Sequence, residues 1–548
     1  VAAASKTAPS GQASATGKAA TLVLAVLASS QFLMTLDSSV MNVSMADVAA
    51  DLNTSITGIQ TAITLYTLVM ATLMITGGKL GTIIGRRRAY ALGLSIYGVG
   101  ALVTSLAPSL PVLLLGWSVL EGMGAALIMP AVVALVASNF APERRPAAYG
   151  LLAAACAMAV AAGPLIGGAV TTFASWRYVF AGEVVVVVAI LGTLHKMADV
   201  PPVKARLDVV GSALSILGLG MFVFGVLRST QWGWTSPNPG APSLLGASPV
   251  IWLIVAGMAV VYVFLLWETH LSARGGEPLV HPSMLRNRQL SGGLGLFFFQ
   301  FLVQGGVFFA VPLLLTIVLG LDPLETGLRI LPLSVALLLA AAGIPKVAPH
   351  ASPRLVVRLG ILGMLAGIVV LAAGLSPAAN ASVVAVPMLL MGLGLGAIAS
   401  QLGAVTVSAV PDTQSAEVGG LQNTATNLGS SLGTALIGSI LIAALSSAVL
   451  AGVQASPTLP ASVKSQASVE LVGSLPFLSD AQLTTALGKA GVTGSDAAAF
   501  VNVNAAARLD GLRAAFWVAA LLALTSLFLT GRLPRRPVGE MPGPDDDE

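Results

Sequence analysis

Asp37 lies near the middle of an apolar run from about Ala20 to Ala50, in the stretch QFLMTLDSSVMNVSMA that starts at Gln31. No Lys or Arg stands within a helical turn of it on either side. Hydrocarbon cannot replace the water a carboxylate loses, so acids inside membrane spans normally face a water-filled cavity and mark ion or substrate pathways. The chemistry open to such a group is uptake and release of a proton, or pairing with a cation. Asp37 is therefore the residue the other elements have to position.

Those elements are membrane spans. The chain has 548 residues, of which 56% are hydrophobic and 9% charged, with a mean hydropathy of +0.89. Soluble domains carry roughly a quarter charged residues, so this is an integral, all-helical membrane protein. The single cysteine, Cys156, rules out a disulfide or a cysteine metal cluster within the chain. The four histidines (His195, His270, His281, His350) are scattered, so no metal and no cofactor is expected. The net charge of +4 is dispersed over short loops, which gives no nucleic-acid surface. A Gly-rich phosphate loop with its lysine and a nucleophile elbow are both missing, which argues against an enzyme and against an ATP-driven pump.

Apolar windows between short polar turns give fourteen spans, near 21–45, 58–77, 89–107, 111–136, 147–171, 178–195, 209–228, 249–268, 290–317, 325–345, 355–375, 382–408, 415–445 and 511–530. Lys and Arg concentrate on one side, with Lys79, Arg86, Arg87, Arg88, Arg286, Arg288, Arg354 and Arg358 among them, while Arg177, Arg228 and Arg329 fall on the other. That bias predicts both termini in the cytoplasm. Residues 1–20 and 531–548 read as cytoplasmic tails, the first of them disordered, and 446–508 as a long, partly helical outer loop.

An internal repeat groups the spans. Ala141-Pro142-Glu143 precedes Gly150 and a Gly-rich helix, and Val410-Pro411-Asp412 precedes Gly419 and another, 269 residues on. Gly78-Lys79-Leu80 and Gly343-Ile344-Pro345-Lys346 each close a span at an offset of 265. The expected organisation is a six-helix bundle over 21–195, an inserted helix pair with its loops over 196–289, and a second six-helix bundle over 290–530. This is the pattern of carriers built from repeats around a midplane site.

Four motifs bring a family into view. Leu36-Asp37-Ser38-Ser39-Val40-Met41-Asn42-Val43 is similar to the first-helix motif L-D-x-T-V-V-N-V-A-L-P, and Gly78-Lys79-Leu80-Gly81-Thr82-Ile83-Ile84-Gly85-Arg86-Arg87 to the loop signature G-x-L-a-D-r-x-G-R-R. Gly163-Pro164-Leu165-Ile166-Gly167-Gly168 matches G-P-x-x-G-G, and Ser175-Trp176-Arg177-Tyr178-Val179-Phe180 resembles S-W-R-W-x-F. The chain thus resembles the major facilitator superfamily, in particular its fourteen-span drug:proton antiporter (DHA2-type) branch. The resemblance implies a 6+2+6 arrangement and multidrug efflux by proton antiport in the cell (inner) membrane. It also implies a conformational role for Gly78, Arg86, Arg87, Gly163, Pro164, Gly167 and Gly168. Read by physics alone, the glycines and Pro164 allow tight or kinked helix packing, and the arginines orient the chain and contact headgroups.

Three departures sharpen the expectation. Thr82 replaces the loop acid, Ser118-Val119-Leu120-Glu121-Gly122 stands where the fourth helix usually carries R-x-x-Q-G, and Glu183-Val184-Val185 replaces an Asn-Val-Pro. The first half therefore holds Asp37, Glu121 and Glu183 at membrane depth without the usual arginine. Acids so placed are suited to exchanging a proton or pairing with a cationic substrate. Asp37 is expected to be the main carrier, followed by Glu121 and Glu183; the alternative for the last two is that they only tie helices together. The substrate cavity is expected from Gln31, Met34, Ser38, Met41, Ser118, Met123, Phe297, Phe301, Gln304, Phe308, Gln401, Gln422 and Asn423. Amides are disfavoured in lipid, and Phe and Met make adaptable walls, although lipid-facing packing is the commoner role of each Phe or Met taken singly. The same departures support a rival, a lipid or lipophile carrier without proton coupling, and more weakly a receptor or scaffold. The expected partners are a lipophilic or cationic small molecule, protons and membrane lipids, with the chain as a monomer.

Overall fold

The computed structural model describes residues 17–140, 145–197, 206–238, 240–377, 379–410, 415–455, 477–489 and 494–536. The first six helices are α1 (Gly17–Asp51), α2 (Ile56–Ile84), α3 (Arg86–Ser105), α4, α5 (Arg145–Phe173) and α6 (Arg177–Thr193). Helix α4 is one rod made of Leu110–Leu113, a π-helical stretch Leu114–Glu121, and Gly122–Asn139. Then follow α7 (Val209–Trp232), α8 (Pro249–Ala273), α9 (Arg288–Leu313, prolonged by a π turn over Leu314–Val318), α10 (Pro323–Val347), α11 (Pro353–Gly374) and α12 (Ala385–Val407). The last three are α13 (Ser415–Ala455), a short α14 (Asp480–Lys489) and α15 (Gly494–Ser526). Among the described residues the only β-pairing is an isolated bridge between Leu244 and Ala247.

Among the described residues eleven stretches are long and apolar enough to cross a bilayer, and every expected span except the third, fifth and sixth coincides with one of them. Those three expected spans lie on α3, α5 and α6. Helix starts follow the local chemistry: Asp208 accepts from the Gly211 amide at the head of α7, and Asp322 and Glu325 form a reciprocal capping box at the head of α10. Large apolar side chains stay exposed along the flanks, for example Val255, Met258, Tyr262 and Leu266 on α8, as a lipid solvent requires.

Helices α1 to α6 pack on one another, and so do α9 to α13 with α15. The pair α7–α8 is attached through α7 to α2 and α13. Between the two groups, α5 runs along α10 and α2 along α13. That seam is tight at the end carrying Arg177 and Pro323. A side chain added at Gly168 would run into the backbone of Pro323 and Leu324, and one at Gly327 into the Pro164 carbonyl. Ser334 Oγ donates to the Val160 carbonyl (2.9 Å), Ser431 Oγ to that of Thr64 (2.9 Å), and Gln60 Nε2 to those of Thr434 (3.0 Å) and Ala435 (3.2 Å). Toward the Arg86 end, positions Gly403, Gly419 and Gly420 meet nothing within 4 Å where a Cβ would stand, and Gln304, Gln401, Gln422 and Asn423 are half-buried. The seam is closed at one end and loose, among the described residues, at the other.

Several sequence expectations shift. Residues 17–20, assigned to the disordered tail, are the first turn of α1. Among the described residues of the partly helical segment expected over 446–508, α13 continues to Ala455, α14 spans Asp480–Lys489 and α15 starts at Gly494. Runs of Ala with few breakers extend those helices past their apolar windows. The repeat anchors Pro142-Glu143 and Pro411-Asp412, and the tail residues 1–16 and 537–548, lie outside the described residues.

Candidate functional site

Asp37 on α1, Glu121 on α4 and Glu183 on α6 converge, with one carboxylate oxygen of each within 4.8 Å of the others. They are 0%, 0% and 2% exposed, respectively. The expectation that Asp37 faces a water-filled cavity between the halves is corrected here: its side chain is enclosed within the first helix group. Trp117 Nε1 donates to both Asp37 oxygens (2.7 and 2.9 Å), and its ring stacks on Tyr66 at 4.9 Å. Thr104 Oγ1 donates to Glu121 (3.0 Å) and Tyr97 OH to Glu183 (3.1 Å). Glu121 Oε2 and Glu183 Oε1 are buried without a hydrogen-bond partner.

Local structure explains how the acids meet. Glu121 closes the π-helical stretch of α4, and Trp117 sits inside it. A side chain at Gly100 would strike Glu121 and the Gly116 carbonyl, so small residues let α3 and α4 approach closely enough to hold Glu121 inside. Every donor to the trio is neutral. Two full negative charges 4.8 Å apart repel by about 3.5 kcal/mol at an effective dielectric constant near 20. The trio is thus built to attract a positive partner, a proton or a cation.

The remaining predicted residues disperse. Ser118, expected in the cavity, is fully buried and donates to the Ala62 carbonyl (2.8 Å), tying α4 to α2. Met34 and Met41 belong to the continuous apolar core, while Met123 is exposed. Gln31 and Ser38 are half-buried on α1, as are Phe297 and Phe301 on α9. Asn423 donates to the Gly419 carbonyl (3.0 Å), and Gln422 donates to Thr406. Between the helix groups lies a cavity of about 20 Å³, room for roughly one water molecule, lined by Asn42, Pro164, Phe308, Ser334 and Met388 among others. Of the predicted cavity residues only Phe308 lines it.

Gly163 packs on Ser39 and Gly167 on Val40, so the G-P-x-x-G-G face serves both the α1–α5 contact and the seam with α10. Gly78 faces Pro130. Arg86 donates to the Ala134 carbonyl (3.4 Å) and Arg87 to that of Met197 (3.0 Å), both within the first group. A link between groups comes from the segment after α8 instead: Glu277 pairs with Lys79 (3.0 Å) and His281 with Glu417 (2.9 Å).

Sequence reading missed Trp117, Tyr97 and Thr104, the donors of the trio, and Gln60, which bridges the seam. An indole four residues before an acid in an apolar run was the available signal for Trp117. Arg508 was missed too: it is 2% exposed and donates to the Ile317 (3.3 Å) and Leu478 (2.9 Å) carbonyls and to Asp480.

The comparisons with known proteins agree with this architecture. The Major Facilitator Superfamily profile matches residues 27–434. A probable actinorhodin transporter of Streptomyces coelicolor is 29% identical over 446 residues, covering 78% of this chain and 74% of the relative. The tetracenomycin C resistance and export protein of Streptomyces glaucescens is 29% identical over 422 residues, covering 75% and 73%. Among solved structures, a bacterial homologue of the human lysosomal transporter Spinster, inward-facing and unoccupied, superposes with a TM-score of 0.59 at 15% identity, covering 94% of this chain and 98% of that one. With the profile spanning most of its length and its helices in the matching arrangement, the chain belongs to the major facilitator superfamily of multi-pass membrane transporters.

Proposed function

We propose that the protein exports hydrophobic or cationic small molecules across the cytoplasmic membrane by alternating access, driven by proton antiport. The observation that carries this reading is the buried trio Asp37, Glu121 and Glu183, whose donors are all neutral. Relatives named as antibiotic transporters and exporters support the substrate class. Asp37 is the principal proton carrier, and Glu121 and Glu183 share its proton. Fourteen spans in a 6+2+6 order, with both termini cytoplasmic, complete the reading; the Lys/Arg bias then places the Arg86 end inside. The seam closed at the Arg177 end and loose at the Arg86 end corresponds to an inward-facing carrier. The closely packed G-P-x-x-G-G face acts as the outer gate, and the protein works as a monomer.

Because Asp37 is enclosed within the first helix group in this state, the proton reaches it only when helices of that group rearrange as the carrier cycles. The test is transport by the purified protein in proteoliposomes, with an imposed pH gradient and either a lipophilic cation or a neutral lipid. Cation movement that follows the gradient supports the antiporter. Lipid transfer indifferent to the gradient supports the uncoupled lipophile carrier, and transport of neither substrate leaves a receptor or scaffold.

A further inference from the structure

The pair α7–α8 buries two acids that the trio does not use. Asp208 caps α7: its Oδ1 accepts from the Gly211 amide (2.9 Å) and its Oδ2 from Trp267 Nε1 (2.8 Å). Glu268, on α8, is 0% exposed, and its Oε2 accepts from the amides of Leu279 (2.7 Å) and Val280 (3.2 Å). Its other oxygen, Oε1, is buried without a partner. A side chain added at Gly211 would run into both Asp208 Oδ2 and Glu268 Oε1, so these two oxygens stand over the same spot on α7.

The amides held by Glu268 belong to the strap between α8 and α9. Leu279 and Val280 are buried with Phe264 against Ile75 of α2, Leu214 of α7 and Leu421 of α13. Glu277 pairs with Lys79 of α2, and His281 with Glu417 of α13, so the strap lies across the seam at its loose end. The other charged or titratable side chains nearby leave the two acids alone: His270 lies beside the Trp267 ring, and Arg206 and Arg274 are exposed. Two ionised carboxylates over one spot in a dry site repel, whereas one proton between them satisfies Glu268 Oε1 and removes one of the two charges. We propose that Asp208 and Glu268 form a second proton site, separate from the trio, that latches the strap across the seam. With the proton present, Glu268 holds Leu279 and Val280; its loss drives the carboxylates apart and frees them. Strap residues from Arg274 to Pro278 are exposed, so the latch lies next to solvent on the Arg86 side. On the orientation proposed above, that side is the cytoplasm, and an alkaline cytoplasm unlatches the inner end.

The experiment needs no substrate. Amide hydrogen exchange of the full chain in phosphatidylcholine nanodiscs is read by mass spectrometry over residues 277–285, with rates corrected for the intrinsic effect of pH. It runs from about pH 5 to about pH 9, the range open to carboxyl groups sharing a dry site. The latched state binds the extra proton, so its stability is lost as pH rises. Protection of the Leu279 and Val280 amides should be constant on the acid side and fall about 10-fold per pH unit above the midpoint, the linkage of one proton. Glu268→Gln gives Asp208 a permanent hydrogen and keeps an oxygen for the strap, so protection should stay at the acid-side level throughout. Asp208→Asn offers the hydrogen from the other partner and should give the same flat profile, so the test does not hang on one variant folding. His281→Gln should retain the profile of the unaltered protein. Flat protection in the unaltered protein, a pH dependence that survives in Glu268→Gln and Asp208→Asn, or one that disappears in His281→Gln would overturn the proposal. Gradient-independent transport by the unaltered protein defeats the antiport reading and leaves the latch standing, so the two fail separately.

Discussion

The two helix groups bury charge in opposite ways. The first places three carboxyl groups in its interior and surrounds them with an indole, a phenol and a hydroxyl. The second buries a guanidinium, Arg508, toward the Arg177 end, and satisfies it locally with Asp480 and two carbonyls. A guanidinium keeps its proton under all working conditions, and a counter-charge beside it completes a structural tie. A carboxyl trio without a cation has an occupancy that can change. On the proposed antiport reading the exchangeable proton belongs to the first group, while in the second Arg508 ties α15 to the segment around Leu478 and Asp480. Toward the Arg86 end the second group offers amides, Gln304, Gln422 and Asn423, which bind without titrating.

Four substitutions probe this division. The largest effect is expected from Asp37→Asn, which should lower gradient-driven transport in proteoliposomes by about 100-fold, the scale for loss of a proton-transfer group. Gradient-free exchange of substrate should survive; unaltered gradient-driven transport would remove Asp37 from the coupling and erase the contrast. Arg508→Met should cost about 2 kcal/mol of stability by leaving the Ile317 and Leu478 carbonyls without their donor, read as a lower unfolding midpoint in detergent. Transport per folded molecule should stay near the unaltered level, and a selective transport loss would make Arg508 more than an anchor. Trp117→Phe keeps the ring stack and removes the donor to Asp37, which should lower gradient-driven transport by about 10-fold, the scale of one hydrogen bond to a charged group at about 1.5 kcal/mol. Unaltered transport would take Trp117 out of the proton site. The smallest effect is expected from Glu277→Gln, since its half-exposed bridge to Lys79 is worth about 0.2–1 kcal/mol. Transport rates should change less than about threefold on that scale, and a large loss would show that the segment after α8 helps drive the swing.

Much of the architecture was legible because a bilayer enforces long apolar windows and sorts Lys and Arg. The three acids were legible as misfits in those windows. Their convergence was not, because it depends on the π-helical stretch Leu114–Glu121. A π turn holds more residues than an α turn, so a regular helical wheel drawn through α4 misplaces Trp117 and Glu121 relative to Gly122–Asn139. The position where the resemblance expects an arginine is Ser118, while the donor to Asp37 is its neighbour Trp117. The Phe stripe of α9 was correctly periodic, yet periodicity cannot separate a wall of the seam from a lipid-facing or core surface. Phe308 lines the cavity, whereas Phe297 and Phe301 do not appear in its lining.

Gln60 sets a condition on the swing. Its amide reaches across the seam to two carbonyls, packed against Gly438, where an added side chain would push the amide aside. Pulling the groups apart at that end strands one donor and two acceptors at once, at a cost of about 1–3 kcal/mol for each group left unsatisfied. On the alternating-access reading proposed above, opening at that end has to re-satisfy those positions from solvent or from neighbouring hydroxyls such as Ser431, which itself bonds across the seam.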